Sequence, residues 1–220
     1  MLTHNLSQGS VFERIRNGAK FIVFEGIDGC GKTTQINLLS QRLSRKNIAN
    51  YTTREPSDKN PVGKLTREAV HNKYKLENET LALLFAADRY EHIKQEVLPA
   101  LNRGEYVLCD RYYYSNFAYQ GGDSFMTKNI SLYNRCIMEN FKPDLTVFID
   151  VKPEECLRRI KENRFEADGI YEDINILNAV RSRYLTTFEQ LKNTDNIYFI
   201  DGNGLSETET AEMIAKTINL

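Results

Sequence analysis

Apolar and polar positions along this chain alternate between two rhythms. Short runs of strand character recur at Phe21–Phe24, Tyr51–Arg54, Tyr106–Asp110, Leu145–Asp150 and Ile197–Ile200. Runs of this length, bounded by turn residues, read as strands. Between them, apolar residues return every third or fourth position, as a helix with one covered face requires. Leu38, Leu39 and Leu43 follow that spacing after Thr33, and Leu81, Leu84, Phe85 and Ile93 follow it within Glu77–Asn102. Further helical patterns cover Pro61–His71, 129–140, a segment opening at Pro153, Ile174–Lys192 and Glu207–Ile218. Strand–helix alternation from end to end predicts an α/β fold with a parallel sheet covered on both faces. Ligands of such sheets bind at the carboxyl ends of the strands. Gly26, Arg54 and Asp110 all fall at such ends, so one shared site is expected there.

The turn after the first strand carries the most specific chemistry. Gly26-x-x-x-x-Gly31-Lys32-Thr33 is a phosphate-binding loop between a strand and a helix. Its glycines let backbone N–H groups of Gly26, Asp28, Gly29, Cys30, Gly31, Lys32, Thr33 and Thr34 converge on phosphate oxygens. Lys32 adds a point charge for the β- and γ-phosphates, and the Thr33 hydroxyl can coordinate Mg²⁺. Asp110 ends a strand of buried character and can orient the same ion or its waters; a cap for the following turn is its plainer role. Arg54 and Arg111 sit at strand ends and suit a second phosphate, although either alone would suit a surface ion pair. Phe85 and Arg89 share a helix face, where they could stack on a base and donate to its carbonyl, or serve as core and solvated residues. Arg158, Arg159, Lys161 and Arg164 crowd a stretch interrupted by Gly169, which suits a cationic lid or a solvated helix face.

Composition narrows the setting. At 220 residues, 41% of them hydrophobic, the chain suits one domain of about 21–220 with a lid near 158–173, preceded by an extension at 1–20. In that extension Val11, Phe12 and Ile15 could form a helical turn against the body. A formal charge of −1 gives no reason to expect nucleic acid. No run approaches the roughly 18 apolar residues of a membrane span, and 1–20 lacks a signal-peptide core. Cys30, Cys109, Cys136 and Cys156 form no C-x-x-C pair, and reduced thiols in a cytoplasmic protein are the simplest expectation.

Four motifs in order resemble the thymidylate kinase family of P-loop nucleoside monophosphate kinases. They are Phe24-Glu-Gly-Ile-Asp-Gly-Cys-Gly-Lys-Thr-Thr34, Thr53-Arg-Glu-Pro56, Leu83-Leu-Phe-Ala-Ala-Asp-Arg89 and Asp110-Arg-Tyr-x-x-Ser-Asn-x-x-Tyr-Gln-Gly121. The resemblance runs from Phe21 to about Leu191. It implies a three-layer P-loop NTPase fold with a five-stranded parallel sheet, a homodimer, and Mg²⁺-dependent phosphoryl transfer from ATP to dTMP. It also implies that Phe85 stacks on thymine, Arg89 donates to its carbonyl, and Asn116 reads the base edge, with Ser115 and Gln120 in the same motif. Tyr119 would lie under the deoxyribose and exclude a 2′-hydroxyl. Arg54 and Arg111 would hold the acceptor phosphate, and Asp28 would lie near the sugar or metal. The loop Ile27-Asp28-Gly29-Cys30 contains no arginine, as in the branch of the family whose lid supplies one. The lid here, Asn163-Arg-Phe-Glu-Ala167, is similar to the family's Asp-Arg-Phe-Glu with Asn163 in place of Asp, and Arg158, Lys161 and Arg164 are the alternatives for its cation.

Two other classes compete. A nucleoside kinase would phosphorylate a hydroxyl and need a general base, for which Glu25 could be argued, but Arg54 and Arg111 would then lack a purpose. A nucleotide-binding switch would lack an acceptor site, and the Asn-Lys-x-Asp guanine reader is absent from the sequence.

Overall fold

The computed structural model describes residues 14–15, 18–71, 73–163 and 173–220. Five strands form one parallel sheet in the order β2-β3-β1-β4-β5. They are β1 (Phe21–Glu25), β2 (Asn50–Arg54), β3 (Tyr106–Asp110), β4 (Leu145–Asp150) and β5 (Ile197–Asp201). Every residue of β1 and β4 is buried. Successive side chains on a strand point to opposite faces, so both faces of the sheet centre are covered. In register, Phe24 pairs with Asp110 and Arg54 pairs with Asp110, which brings the three functional strand ends level.

The connecting helices are α1 (Lys32–Arg45), α2 (Pro61–Val70), α3 (Asn78–His92), α4 (Leu98–Asn102), α5 (Tyr113–Gln120), α6 (Ser124–Asn140), α7 (Pro153–Asn163), α8 (Ile174–Leu191) and α9 (Glu207–Thr217). Most match the periodicity to within a residue or two. The helix expected over Glu77–Asn102 is not continuous. A π-turn, Ile93–Val97, separates α3 from α4. Pro99 cannot donate to the carbonyl four residues back, and a widened turn just before it absorbs the missing bond. Both His92 and Glu96 end up buried as a result.

Two further departures have physical causes. α6 starts at Ser124 rather than near 129, because the Asp123 side chain caps it by accepting from Met126 N. The motif-bearing segment after Asp110, whose apolar pattern marks no element, is the helix α5. Its N-terminus is satisfied from a distance: the Glu25 carboxylate accepts from Tyr112 N at 2.7 Å and Ser115 N at 3.3 Å. No local cap announces such a helix. Of the N-terminal extension, Arg14 pairs with Asp144 at 2.7 Å, whereas the Ile15 side chain is exposed rather than packed; Val11 and Phe12 lie outside the described residues.

Candidate active site

After β1 the chain turns through Gly26–Gly31 into α1. At Gly26, φ is 147° and an added Cβ would sit 2.6 Å from Cys30 Sγ and 2.7 Å from the Ile149 carbonyl oxygen. At Gly29, φ is 81° and a Cβ would meet the Cys156 carbonyl at 2.5 Å. Only glycine suits either place. No side chain caps the N-terminus of α1, so its first-turn N–H groups suit phosphate oxygens. Lys32 is buried, and its Nζ donates to the carbonyls of Gly26 and Ile27 at 3.1 Å each. The loop floors a cleft of about 790 Å³ that extends to Ser206 on one side and Phe85 on the other.

Across the cleft floor, Thr33 Oγ1 donates to Asp110 Oδ2 at 3.1 Å. The other carboxylate oxygen, Oδ1, is buried without a hydrogen-bond partner among the described residues. A hydroxyl beside a carboxylate with an unsatisfied oxygen fits a hard cation whose other ligands are water and phosphate. Among the described residues, no group of three or more His, Cys, Asp or Glu side chains forms a protein-only cage.

Arg111 is the hub of the site. It holds a left-handed φ of 72°, uncommon outside glycine, and this aims its side chain back over the loop. Its Nη2 donates to Asp28 at 2.7 Å and to the Tyr119 hydroxyl at 2.9 Å. Its Nη1 reaches Ser115 Oγ at 3.2 Å, Tyr184 OH at 3.1 Å and the Gly26 carbonyl at 3.3 Å. Tyr119 also donates to Asp28 at 2.9 Å. Burial pushes the Asp28 carboxyl up, but the charges of Arg111 and Lys32 outweigh it and hold the carboxyl down at about 2. Asp28 is therefore a fixed anion beside the loop at neutral pH. Glu25 is different: it is buried, its carboxyl is raised by burial, and it accepts from Ser115 Oγ at 2.6 Å and Tyr184 OH at 2.8 Å as well as the two backbone donors. It braces α5 and α8 under Arg111.

On the acceptor side, Arg54 donates through Nε to Asp58 at 3.0 Å, and Arg67 approaches the same carboxylate at 2.8 Å. Both arginines line the cleft, as do Phe85, Ser115, Tyr119 and Gln120. Arg89 and Asn116 are nearly fully buried, neither among the residues lining the cleft. Arg89 pairs with Glu55 at 2.8 Å and donates to Asn134 at 2.5 Å; Asn116 donates to Gln120 at 3.0 Å. Asp88, beside Arg89, accepts from Ser57 N and the Asn60 amide.

Arg158 lines the opposite rim, clasped by Glu155 at 2.8 Å and Glu162 at 2.6 Å. Arg159 lines the same rim. Lys161 is an exposed residue of α7 that is not among the cleft-lining residues, and Arg164 lies outside the described residues. Periodicity missed Arg67, Tyr184 and Asn134, since each is an ordinary helix residue until the sheet brings it to the site, whereas Arg159 belongs to the cationic stretch singled out in the sequence.

The loop, Arg111 and Arg54 set groups that suit phosphate oxygens along one cleft. A family model described as thymidylate kinase matches residues 24–214. The chain belongs to the thymidylate kinase family. The thymidylate kinase of Ligilactobacillus salivarius (strain UCC118) is 40% identical over 190 residues, covering 84% of this chain and 90% of that protein. A probable thymidylate kinase of Pyrococcus horikoshii is 42% identical over 178 residues, covering 77% and 82%. The structure of thymidylate kinase from Candida albicans superposes with a TM-score of 0.76 at 27% identity, covering 91% of each chain. The thymidylate kinase fold is therefore present here around the loop, the arginine hub and the cleft.

Proposed function

We propose that this chain transfers the γ-phosphoryl group of ATP to dTMP, giving dTDP and ADP on the route to dTTP. Membership of the thymidylate kinase family supports the reaction. The observation that carries the reading is Arg111, which stands between the P-loop and the Phe85–Gln120 wall and can serve both phosphates. An acceptor phosphate is already anionic, so no base is needed; the residues supply in-line positioning and charge. Lys32 and the loop amides would hold the donor phosphates, while Arg54 and Arg111 would present the acceptor. For this, both arginines must trade carboxylate partners, Asp58 and Asp28, for phosphate oxygens. Phe85, Arg89, Asn116, Ser115, Tyr119 and Gln120 would form the nucleoside pocket, with Arg89 and Asn116 acting from behind the wall.

Thr33 and Asp110 would hold Mg²⁺, which when bound neutralises charge on the donor phosphates. A cation from Arg158, Lys161 or Arg164 would complete the charge balance. The burial of Glu25 among four donors argues against a hydroxyl acceptor, because it leaves that carboxylate no role as a base. A homodimer is supported by two apolar stripes on packed helices, Leu83 with Tyr90 on α3 and Phe125 with Leu132 on α6, all exposed at seven-residue spacing. Free, unpaired cysteines support a cytoplasmic setting, and no described helix is long and apolar enough to cross a membrane.

The test is a coupled ADP-release assay with ATP, Mg²⁺ and a panel of monophosphates. We expect dTMP to be the best acceptor, dUMP to be poorer by the roughly 1–3 kcal/mol of a lost methyl contact, and ribonucleotides and purines to fail. Preference for AMP, CMP or UMP would overturn the nucleoside pocket. Preference for thymidine would overturn the roles of Arg54 and Arg111.

A further inference from the structure

Behind the acceptor wall, four buried side chains form one hydrogen-bonded line, and its direction is fixed at one end. Arg89 Nη1 donates to Asn134 Oδ1 at 2.5 Å. Guanidinium has donors only, so the atom of Asn134 facing it must be oxygen. Asn134 Nδ2 also donates to the Ile130 carbonyl at 2.9 Å, and a carbonyl can only accept, so the opposite atom must be nitrogen. These two contacts settle the orientation of the amide independently of each other. The same Nδ2 donates to Asn116 Oδ1 at 3.0 Å, and Asn116 Nδ2 then donates to Gln120 Oε1 at 3.0 Å. Each amide passes the polarity on, since turning its acceptor toward one neighbour turns its donor toward the next.

The line ends at the cleft. Gln120 is about as buried as Arg89, yet it belongs to the cleft wall. Its Oε1 is used by Asn116, and its Nε2 has no partner among the described residues, nor is it a sealed orphan like Asp110 Oδ1. The atom of this amide without a protein partner among the described residues is therefore Nε2, a donor.

We propose that Asn134, on α6, is a positioning residue for acceptor selectivity: through Asn116 it turns the Gln120 amide so that N–H groups, and not the oxygen, face the nucleobase. The inference rests on the dTMP kinase reading above. An N–H donor set opposite the base's 4-position pairs with the carbonyl oxygen that thymine and uracil carry there. It mismatches an exocyclic amino group such as that of cytosine, which would meet another donor. Asn134 itself touches no ligand and lies on a helix that carries none of the family motifs.

The decisive variant is Asn134→Asp. A carboxylate beside Arg89 keeps that contact, but it now offers oxygen to Asn116 as well. Asn116 must turn its amide nitrogen toward it, Gln120 must turn in response, and Oε1 faces the cleft. We expect the ratio of kcat/KM for dTMP to that for dCMP to fall by roughly tenfold or more, the scale of one mismatched buried hydrogen bond. A purely structural role for Asn134 would slow both acceptors equally and leave the ratio unchanged, and that result would overturn the proposal. If Asn134→Asp does not fold, Asn134→Leu reads the same ratio. Without its director the line can flip, and discrimination should relax toward dCMP; an unchanged ratio again overturns the proposal. Gln120→Glu, which places oxygen at the wall directly, should shift the ratio in the same direction. A shift in Gln120→Glu alone would leave Gln120 as base reader and remove Asn134 from the account. The unmodified protein is assayed in parallel: if it shows no dTMP-dependent ADP release, the kinase reading itself fails, and not the relay.

Discussion

Replacing Asp88 with asparagine should change how stability depends on pH, by an amount the structure sets. Asp88 is fully buried, and its two oxygens accept from Ser57 N at 3.0 Å and Asn60 Nδ2 at 2.8 Å. Its Oδ1 also presses on Gly63, where a Cβ would sit 2.5 Å away. The carboxylate thus pins the start of α2, the helix that carries Arg67 to the cleft. Burial, and then the charge of Glu55, raise its carboxyl from 3.8 to about 6. Between those values the folded protein keeps a proton that the unfolded chain has lost, so stability falls as pH rises through the window. About two pKa units at 1.36 kcal/mol each make that loss roughly 3 kcal/mol. Asp88→Asn cannot ionise and escapes it.

The substitution has its own cost. Asn60 accepts from Gly63 N at 2.7 Å, which commits its amide nitrogen to position 88, and Ser57 brings a backbone N–H. Two donors then face an amide with one oxygen, at roughly 1–3 kcal/mol, independent of pH. Asp88→Asn should therefore be clearly less stable than the parent near pH 4 and close to it near pH 7. Urea unfolding across that range, with a common m value, gives the difference directly. A difference that stays flat with pH would refute the buried-charge argument.

Four further outcomes test the rest of the site. Lys32→Met should lose orders of magnitude in turnover while keeping its melting temperature within a few degrees, because Lys32 donates to loop carbonyls and one thiol and serves charge rather than packing; near-normal turnover in a folded variant would sink the phosphate-loop assignment. Alanine at Arg158, Lys161 and Arg164, singly and together, should cut kcat on the order of 10³-fold where the transition-state cation is removed, with far less effect on dTMP affinity measured by calorimetry. Glu25→Gln should keep turnover within roughly tenfold, since Ser115 and Tyr184 hydroxyls can rotate to suit an amide; abolished activity in a folded variant would revive the hydroxyl-acceptor alternative. Chelation of divalent cations should stop ADP release, and Asp110→Asn should raise the Mg²⁺ concentration needed to restore it; an unaltered Mg²⁺ requirement would remove Asp110 from the metal's surroundings.

What the sequence made legible has a common physical character. Strands such as Leu145–Asp150 are buried on both faces and so are continuously apolar, a local property. The phosphate loop was legible because its glycine spacing is a short motif with a fixed job, even though the carbonyls that exclude a Cβ at 26 and 29, those of Ile149 and Cys156, lie far away in sequence. α5 was opaque for the opposite reason: its N-terminal donors are satisfied by Glu25, 87 and 90 residues away in sequence. The π-turn at Ile93–Val97 was signalled only by Pro99, whose demand falls on the turn before it rather than at its own position.

The acceptor wall shows why motif and role diverge. Asp88 and Arg89 are adjacent in sequence and belong to one motif, yet successive helix residues point about 100° apart. One therefore turns to Asn60 and Ser57, fixing α2, and the other to Glu55 and Asn134, fixing the amide line. A linear pattern records that both are required and cannot say which neighbour each requires. Asn134 carries no such record, because an amide in the middle of an amphipathic helix resembles any other polar position. Its meaning depends on atoms contributed by α3 and α5, and hydrogen-bond direction is a property of the assembled line rather than of any one residue in it. Selectivity encoded in that direction is invisible to composition and periodicity alike, and it can be altered by exchanging one amide for an isosteric carboxylate without changing the shape of the pocket.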